Sequence, residues 1–104
     1  MKVINLGEQN SVLNQFVSEI RDVNIQKDSL RFRRNLERIG EIFAYEISKT
    51  LNYVPSEVET PLGIANIQLC NQTIVLGTIL RAGLPLHQGL LNYFDCAQNS
   101  FIAA

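Results

Sequence analysis

Apolar positions recur along this chain with two different periods. In the first half they follow a helical spacing. Val12, Leu13, Phe16, Val17 and Ile20 form one stripe of a 3.6-residue repeat, with Ser11 placed to cap it, and the stripe predicts a helix ending near Asp22. Met1 to Asn10 precede it as a short mixed arm. A second stripe runs through Phe32, Leu36, Ile39, Phe43, Ile47 and Leu51, and Asp28 or Ser29 can cap its start. Gly40 interrupts this pattern. An interior glycine costs about 1 kcal/mol against alanine, so it marks either a close approach of another element or a tolerated weak point.

After Leu51 the period shortens. Val54 to Thr60 alternates loosely and stops at Pro61, which predicts a short extended piece. Ile64 to Leu69 sets apolar residues between Asn66 and Gln68 as an edge strand would, and Cys70-Asn71-Gln72 resembles a turn. Thr73 to Leu80 is a continuous β-branched and apolar run, the texture of a parallel strand buried on both faces. A helix over Leu84 to Phe94 follows Gly83. Ser100 to Ala104 opens another apolar strand. Strand, helix, strand in this order is a βαβ unit, right-handed in nearly all cases. The fold expected is α/β: N-terminal helices, a short β element, then the first βαβ part of a parallel sheet. With 104 residues and 11.7 kDa the chain is one small domain, with residues 1–52 as a helical arm and 53–104 as the start of the α/β core.

Charge changes this picture. Residues 1–59 hold 17 of the 19 charged side chains, leaving only Arg81 and Asp95 for residues 60–104. A segment so poor in charge is expected to be covered by other protein, either another chain or more of the same one. The abrupt apolar end points the same way. Thr60 to Leu80 carries no charge, yet Asn66, Gln68, Asn71, Gln72 and Thr73 interrupt it, so a membrane span is excluded. A net charge of −1 argues against nucleic-acid binding by bulk positive charge. Cys70 and Cys96 are too few for a disulfide framework and no signal peptide precedes them. They are expected to be reduced, buried thiols in a cytoplasmic protein. The single histidine, His87, builds no His/Cys metal cluster, and no metal ligands are expected.

One segment carries candidate chemistry. In Ile79-Leu80-Arg81-Ala82-Gly83-Leu84, the only cation of the last 45 residues stands where a buried strand gives way to a helix. Ligands of open α/β sheets bind at the carboxyl ends of strands. The amides of a helix start favour an anion, and a guanidinium matches phosphate oxygens. The competing reading is an arginine paired with a nearby carboxylate or directed to solvent. Arg31, Arg33, Arg34 and Arg38 form a second cluster, interleaved with Glu37 and Glu41. It is either a phosphate-binding or regulatory patch or, the favoured reading, a solvated helix face with pairs such as Arg33–Glu37. His87 lacks a partner nucleophile, and Glu46 suits a hydrogen-bonded structural role. No catalytic residue is identifiable.

The chain resembles the N-terminal half of a uracil phosphoribosyltransferase. Phe32-Arg33, Gly40, Tyr45-Glu46, Val58-Glu59-Thr60-Pro61, the Ile79–Leu84 hexapeptide and Gly89-Leu90-Leu91 carry the likeness, in matching order over about residues 28–94. The resemblance implies a transferase of the phosphoribosyltransferase fold, acting as a homo-oligomer, that joins uracil to phosphoribosyl pyrophosphate to give UMP and pyrophosphate. Mg2+ would be carried by the donor, and neither nucleic acid nor membrane is implied as a partner. It further implies that Arg81, with Leu80, Ala82 and Gly83, binds the donor's pyrophosphate. The sequence departs from the family at Gly77-Thr78, where Val-Pro is frequent, at Pro85, where glycine is common, and at Gln88, where aspartate is. The family's ribose-phosphate motif and its base-reading loop are absent, so this chain alone is expected to be inactive. The alternative is a shortened, non-catalytic relative serving as a regulatory or oligomerisation module.

Overall fold

A computed structural model describes residues 1–103. A 3-10 turn at Leu6–Glu8 leads to α1 (Leu13–Arg21), and a second at Ile25–Lys27 leads to α2 (Ser29–Ser48). Then come β1 (Tyr53–Thr60), β2 (Gly63–Cys70), β3 (Val75–Leu80), α3 (Leu84–Tyr93) and β4 (Gln98–Ala103). β1 and β2 pair antiparallel, Tyr53 opposite Cys70 and Thr60 opposite Gly63. β3 and β4 pair parallel, Val75 beside Gln98 and Leu80 beside Ala103, with α3 as the crossover. The α/β class and the parallel β3–α3–β4 unit are as the sequence predicts.

Local chemistry sets the boundaries. Asp28 caps α2, its carboxylate accepting from the Arg31 amide at 3.1 Å. Ser11 Oγ accepts from the Leu13 amide at 3.2 Å at the start of α1. Pro61-Leu62 forms a two-residue turn between β1 and β2. Thr60 Oγ1 fastens it, donating to the Gly63 carbonyl at 2.6 Å and accepting from the Leu62 amide at 3.3 Å. Gly63 has φ of +127°, a conformation open to glycine and rarely to other residues.

The deepest part of α2 is its small-residue face. Asn35, Ile39, Gly40 and Ala44 are buried, and α3 lies against them. A Cβ added to Gly40 would overlap the Leu86 carbonyl oxygen and stand 3.2 Å from Gly89 Cα. One added to Gly89 would overlap the Glu37 carbonyl oxygen and come within 2.9 Å of Glu41 N and of Gly40 Cα. The two backbones therefore touch at Gly40 and Gly89, and of the two readings of Gly40 the close approach holds. A hydrogen-bond chain runs beside the contact: Gln88 donates to Asn92 at 2.7 Å, Asn92 to Glu37 at 2.7 Å, and Arg34 pairs with Glu37 at 3.0 Å. The Asn92 bond, more than the Arg34 contacts, holds the Glu37 carboxyl below the usual range.

A polar cluster joins α1 to α2. Glu19 is buried. It accepts from Gln15 at 2.7 Å, from Arg31 at 2.8 Å and from the wholly buried Asn35 at 3.2 Å. These hydrogen bonds, Gln15 first, lower its pKa from 4.5 to about 2. Arg38 donates to Asn35 Oδ1 at 3.2 Å and lies over the Phe16 ring at 5.3 Å.

Four expectations need correction. β3 is not buried on both faces: Leu76, Thr78 and Leu80 are half-buried on the side of α3, while Val75 and Ile79 are 61% and 60% exposed, because no second layer of these residues covers that side. Cys70 and Cys96 are exposed rather than buried. Cys70 ends a hairpin strand and Cys96 sits in the α3–β4 connection, both outside the helical core. Glu37 pairs with Arg34 and not with Arg33, one turn favouring the i,i+3 partner. α2 ends at Ser48, short of Leu51, to which its apolar stripe extends. No helix among the described residues is long and apolar enough to cross a membrane.

Two outcomes test this packing. Gly89→Ala must push α3 from α2 and is expected to lower stability by about 1–3 kcal/mol, measured by urea unfolding. A folded-state carboxyl pKa below the unfolded value contributes stability above pH 4.5 that is lost as pH falls toward 2. Glu19→Gln should therefore destabilise the protein at pH 6 and flatten the stability slope between pH 4.5 and 2, read by unfolding across that range.

Candidate anion-binding loop

The carboxyl end of β3 delivers Arg81 directly into the turn that starts α3. The peptide bond between Leu80 and Arg81 is cis. Two hydrogen bonds close the turn: the Gly83 amide donates to the Ile79 carbonyl at 3.2 Å and the Leu84 amide to the Arg81 carbonyl at 3.1 Å. The Gly83 carbonyl then accepts from the His87 amide at 2.9 Å as the first bond of α3. Leu80, Arg81, Ala82 and Gly83 make up this connection between β3 and α3.

Gly83 fits where no larger residue would. A Cβ there would overlap Thr78 Oγ1 and lie 2.8 Å from the Ile79 carbonyl oxygen. The loop is folded back against the last turn of its own strand, and Thr78 forms its floor. That role escapes a reading in which Thr78 is one β-branched residue of an apolar run. Its signal was available in the replacement of the family's frequent Val-Pro by Gly77-Thr78.

The electrostatics of the loop favour an anion. Arg81 is exposed and forms no ion pair or side-chain hydrogen bond among the described residues. Of the competing reading, the paired arginine is not found among the described residues, while an arginine directed to solvent is compatible with this exposure. No side chain caps α3, whose N-cap is Gly83 and whose first turn holds Pro85. The Ala82 amide likewise has no acceptor among the described residues. An uncapped helix start beside a free guanidinium presents amide dipoles and a full charge to the same region. The groove next to this helix start is lined by Leu84, Pro85 and Gln88 of α3 and by Leu30, Arg33, Arg34 and Glu37 of α2, with a volume of about 330 Å³. Arg33 enters the neighbourhood of the loop in this way, which only the α2–α3 crossing reveals.

The remaining candidates are placed elsewhere. Arg31, Arg34 and Arg38 are held by Glu19, Glu37 and Asn35 respectively, so the arginine cluster is mostly engaged within the chain. His87 is buried, its ring 5.2 Å from that of Phe101, and its Nε2 has no hydrogen-bond partner among the described residues. Glu46 pairs with Lys49 at 3.2 Å, the structural role expected of it. The loop's donors match the chemistry of an anion and not of Mg2+, which takes oxygen ligands, and no three His, Cys, Asp or Glu residues cluster among the described residues.

Comparison with known proteins agrees with this geometry. Residues 7–103 match the uracil phosphoribosyltransferase family profile. A Porphyromonas gingivalis protein named uracil phosphoribosyltransferase is 57% identical over 104 residues, all of this chain and 48% of the relative. A Sulfolobus acidocaldarius protein of the same name is 40% identical over 96 residues, 89% of this chain and 44% of the relative. A solved structure from Aquifex aeolicus superposes with a TM-score of 0.75 at 27% identity, covering 89% of this chain and 44% of that one. The chain spans about half the length of the curated relatives it matches. With the loop geometry and the sequence match covering the same residues, the chain belongs to the uracil phosphoribosyltransferase family.

Proposed function

We propose that the complete protein carrying this sequence joins uracil to phosphoribosyl pyrophosphate, releasing pyrophosphate and forming UMP, as a cytoplasmic enzyme of pyrimidine salvage that works as a homo-oligomer. The observation that carries this reading is the unpaired, exposed Arg81 beside an uncapped helix start, in a chain of this family. Residues 1–104 are then the N-terminal part of one domain and contribute the pyrophosphate loop, Leu80, Arg81, Ala82 and Gly83. Mg2+ arrives with the donor's phosphates.

In this reading Arg81 supplies positive charge where the leaving pyrophosphate gains negative charge as the bond to the ribose carbon breaks. A guanidinium and backbone amides already held in place cost no reorganisation at that moment. Gly83 and Thr78 keep the loop close to the strand end, which fixes the direction of those donors. The base-reading and ribose-phosphate loops lie outside this sequence, so residues 1–104 alone do not turn over substrate. Internal pairing of Arg31, Arg34 and Arg38 also leaves little of that cluster for RNA.

In the complete enzyme, Arg81→Ala should weaken phosphoribosyl pyrophosphate binding about 30-fold, the equivalent of about 2 kcal/mol for a lost charged hydrogen-bond partner, measured by calorimetry. Arg81→Lys should recover only part, because the two-pronged donor geometry is gone. Unchanged affinity in Arg81→Ala would refute the assignment. Gly83→Ala should shift the loop and reduce kcat/KM about 100-fold in steady-state assays, with the circular dichroism spectrum retained.

A further inference from the structure

Both cysteines of the chain, Cys70 and Cys96, are free and exposed. Free cysteine is among the most buried residue types, so two exposed thiols run against the ordinary use of the residue. They also border one space. Each lines a cavity of about 580 Å³ between the foot of the hairpin and the end of α3, together with Tyr53, Gln72 and Asp95. A space of that volume is about 10 Å across, little more than the Cα separations of about 4.4–6.8 Å that a disulfide spans.

The topology places the two thiols there from distant parts of the sequence. Cys70 is the last residue of β2, opposite Tyr53, and Cys96 lies in the connection from α3 to β4. The parallel pair begins between them: the Gln98 amide donates to the Ile74 carbonyl at 3.0 Å. This sets the residues just before β3 near those just before β4. Residues 71–74 and 95–97 belong to no helix or strand, and the hairpin makes no extensive contact with another helix or strand among the described residues. Its foot can therefore turn toward Cys96 without breaking a ladder or a helix. The cavity sits at the amino ends of β3 and β4, the opposite end of the pair from Arg81.

We propose that Cys70 and Cys96 form a redox modification site: a small-molecule disulfide converts the two thiols into one disulfide that ties the hairpin foot to the α3–β4 connection. One cysteine thiolate attacks the small disulfide, whose S–S bond breaks. A mixed disulfide forms and one small thiol leaves. The second thiolate attacks the protein sulfur of that mixed disulfide and expels the other small thiol. The protein gives up two electrons and two protons, and the small disulfide is reduced to two thiols. Exposed disulfides are the readily reduced kind, and bridges that form inside cells are mostly transient and redox-sensing. The ring so closed contains β3, the Arg81 loop and α3. Thiol oxidation here stands whatever reaction Arg81 serves.

The test treats the complete protein carrying this sequence with oxidised glutathione, then digests it without reductant and maps the peptides by mass spectrometry. The expected product is the Cys70 peptide linked to the Cys96 peptide, about 2 Da below the sum of the two for the hydrogens lost. It should form at a rate that does not change with protein concentration and disappear on adding dithiothreitol. The melting temperature of the oxidised protein should rise by about 5 °C or more, as a closed loop restrains the unfolded chain. Both residues are exposed, so Cys70→Ser and Cys96→Ser should fold normally. Each variant should lose the link and the rise, and should keep glutathione on its remaining cysteine. Glutathione on both cysteines with no link between them would overturn the proposal. So would a link joining two copies, a link from either residue to another cysteine of the complete protein, or a link that leaves the melting temperature unmoved.

Discussion

Everything near the loop hangs on the contact between two glycines. Because neither Gly40 nor Gly89 carries a Cβ, the backbones of α2 and α3 meet directly. That contact fixes where α3 lies and so where its first turn presents its amides. The turn itself is fixed from the other side, by Gly83 folding onto Thr78 and Ile79. A helix held at its middle by one glycine and at its start by another has little freedom to tilt. The orientation of the amides at this helix start is thus a packing property, settled well away from Arg81.

Arginine is used in two distinct ways. On α2 three guanidinium groups are tied to carboxylates or amides, and the Glu19 cluster turns a helix–helix joint into a hydrogen-bonded lock. Buried polar groups of this kind are tolerable only when each finds a partner, and Glu19 finds three. Arg81 has none. The contrast within one chain separates charges tied into the helical core from a charge left unpaired more clearly than composition does.

The helices, the parallel pair and the loop were legible in the sequence because each has a local cause. Asp28 can cap only from where it stands, and an apolar run followed by Arg-Ala-Gly marks a strand end. What escaped reading depends on distant neighbours. Large apolar residues advertise the stripe on α2, yet its deepest positions are Asn35, Gly40 and Ala44, chosen for smallness or for a partner on another helix. The exposure of Cys70 and Cys96, the choice of Arg34 over Arg33 by Glu37 and the arrival of Arg33 beside α3 follow from the crossing of α2 and α3 and from the layout of the hairpin. Periodicity contains none of these. Charge distribution was the better guide to the second half, where Val75, Ile79, Phe101 and Ile102 are open to solvent.

That open sheet also bears on colloidal behaviour. Val75, Ile79 and Ile102 share one side of the parallel pair, next to strand edges with unsatisfied amides and carbonyls. Electrostatic repulsion between molecules is weak at a net charge of −1, and within this region only Arg81 and Asp95 contribute to it. Handled as a separate polypeptide, the segment will precipitate by edge-to-edge strand pairing, and its solubility will track how completely that side is capped by added protein rather than the ionic strength of the buffer.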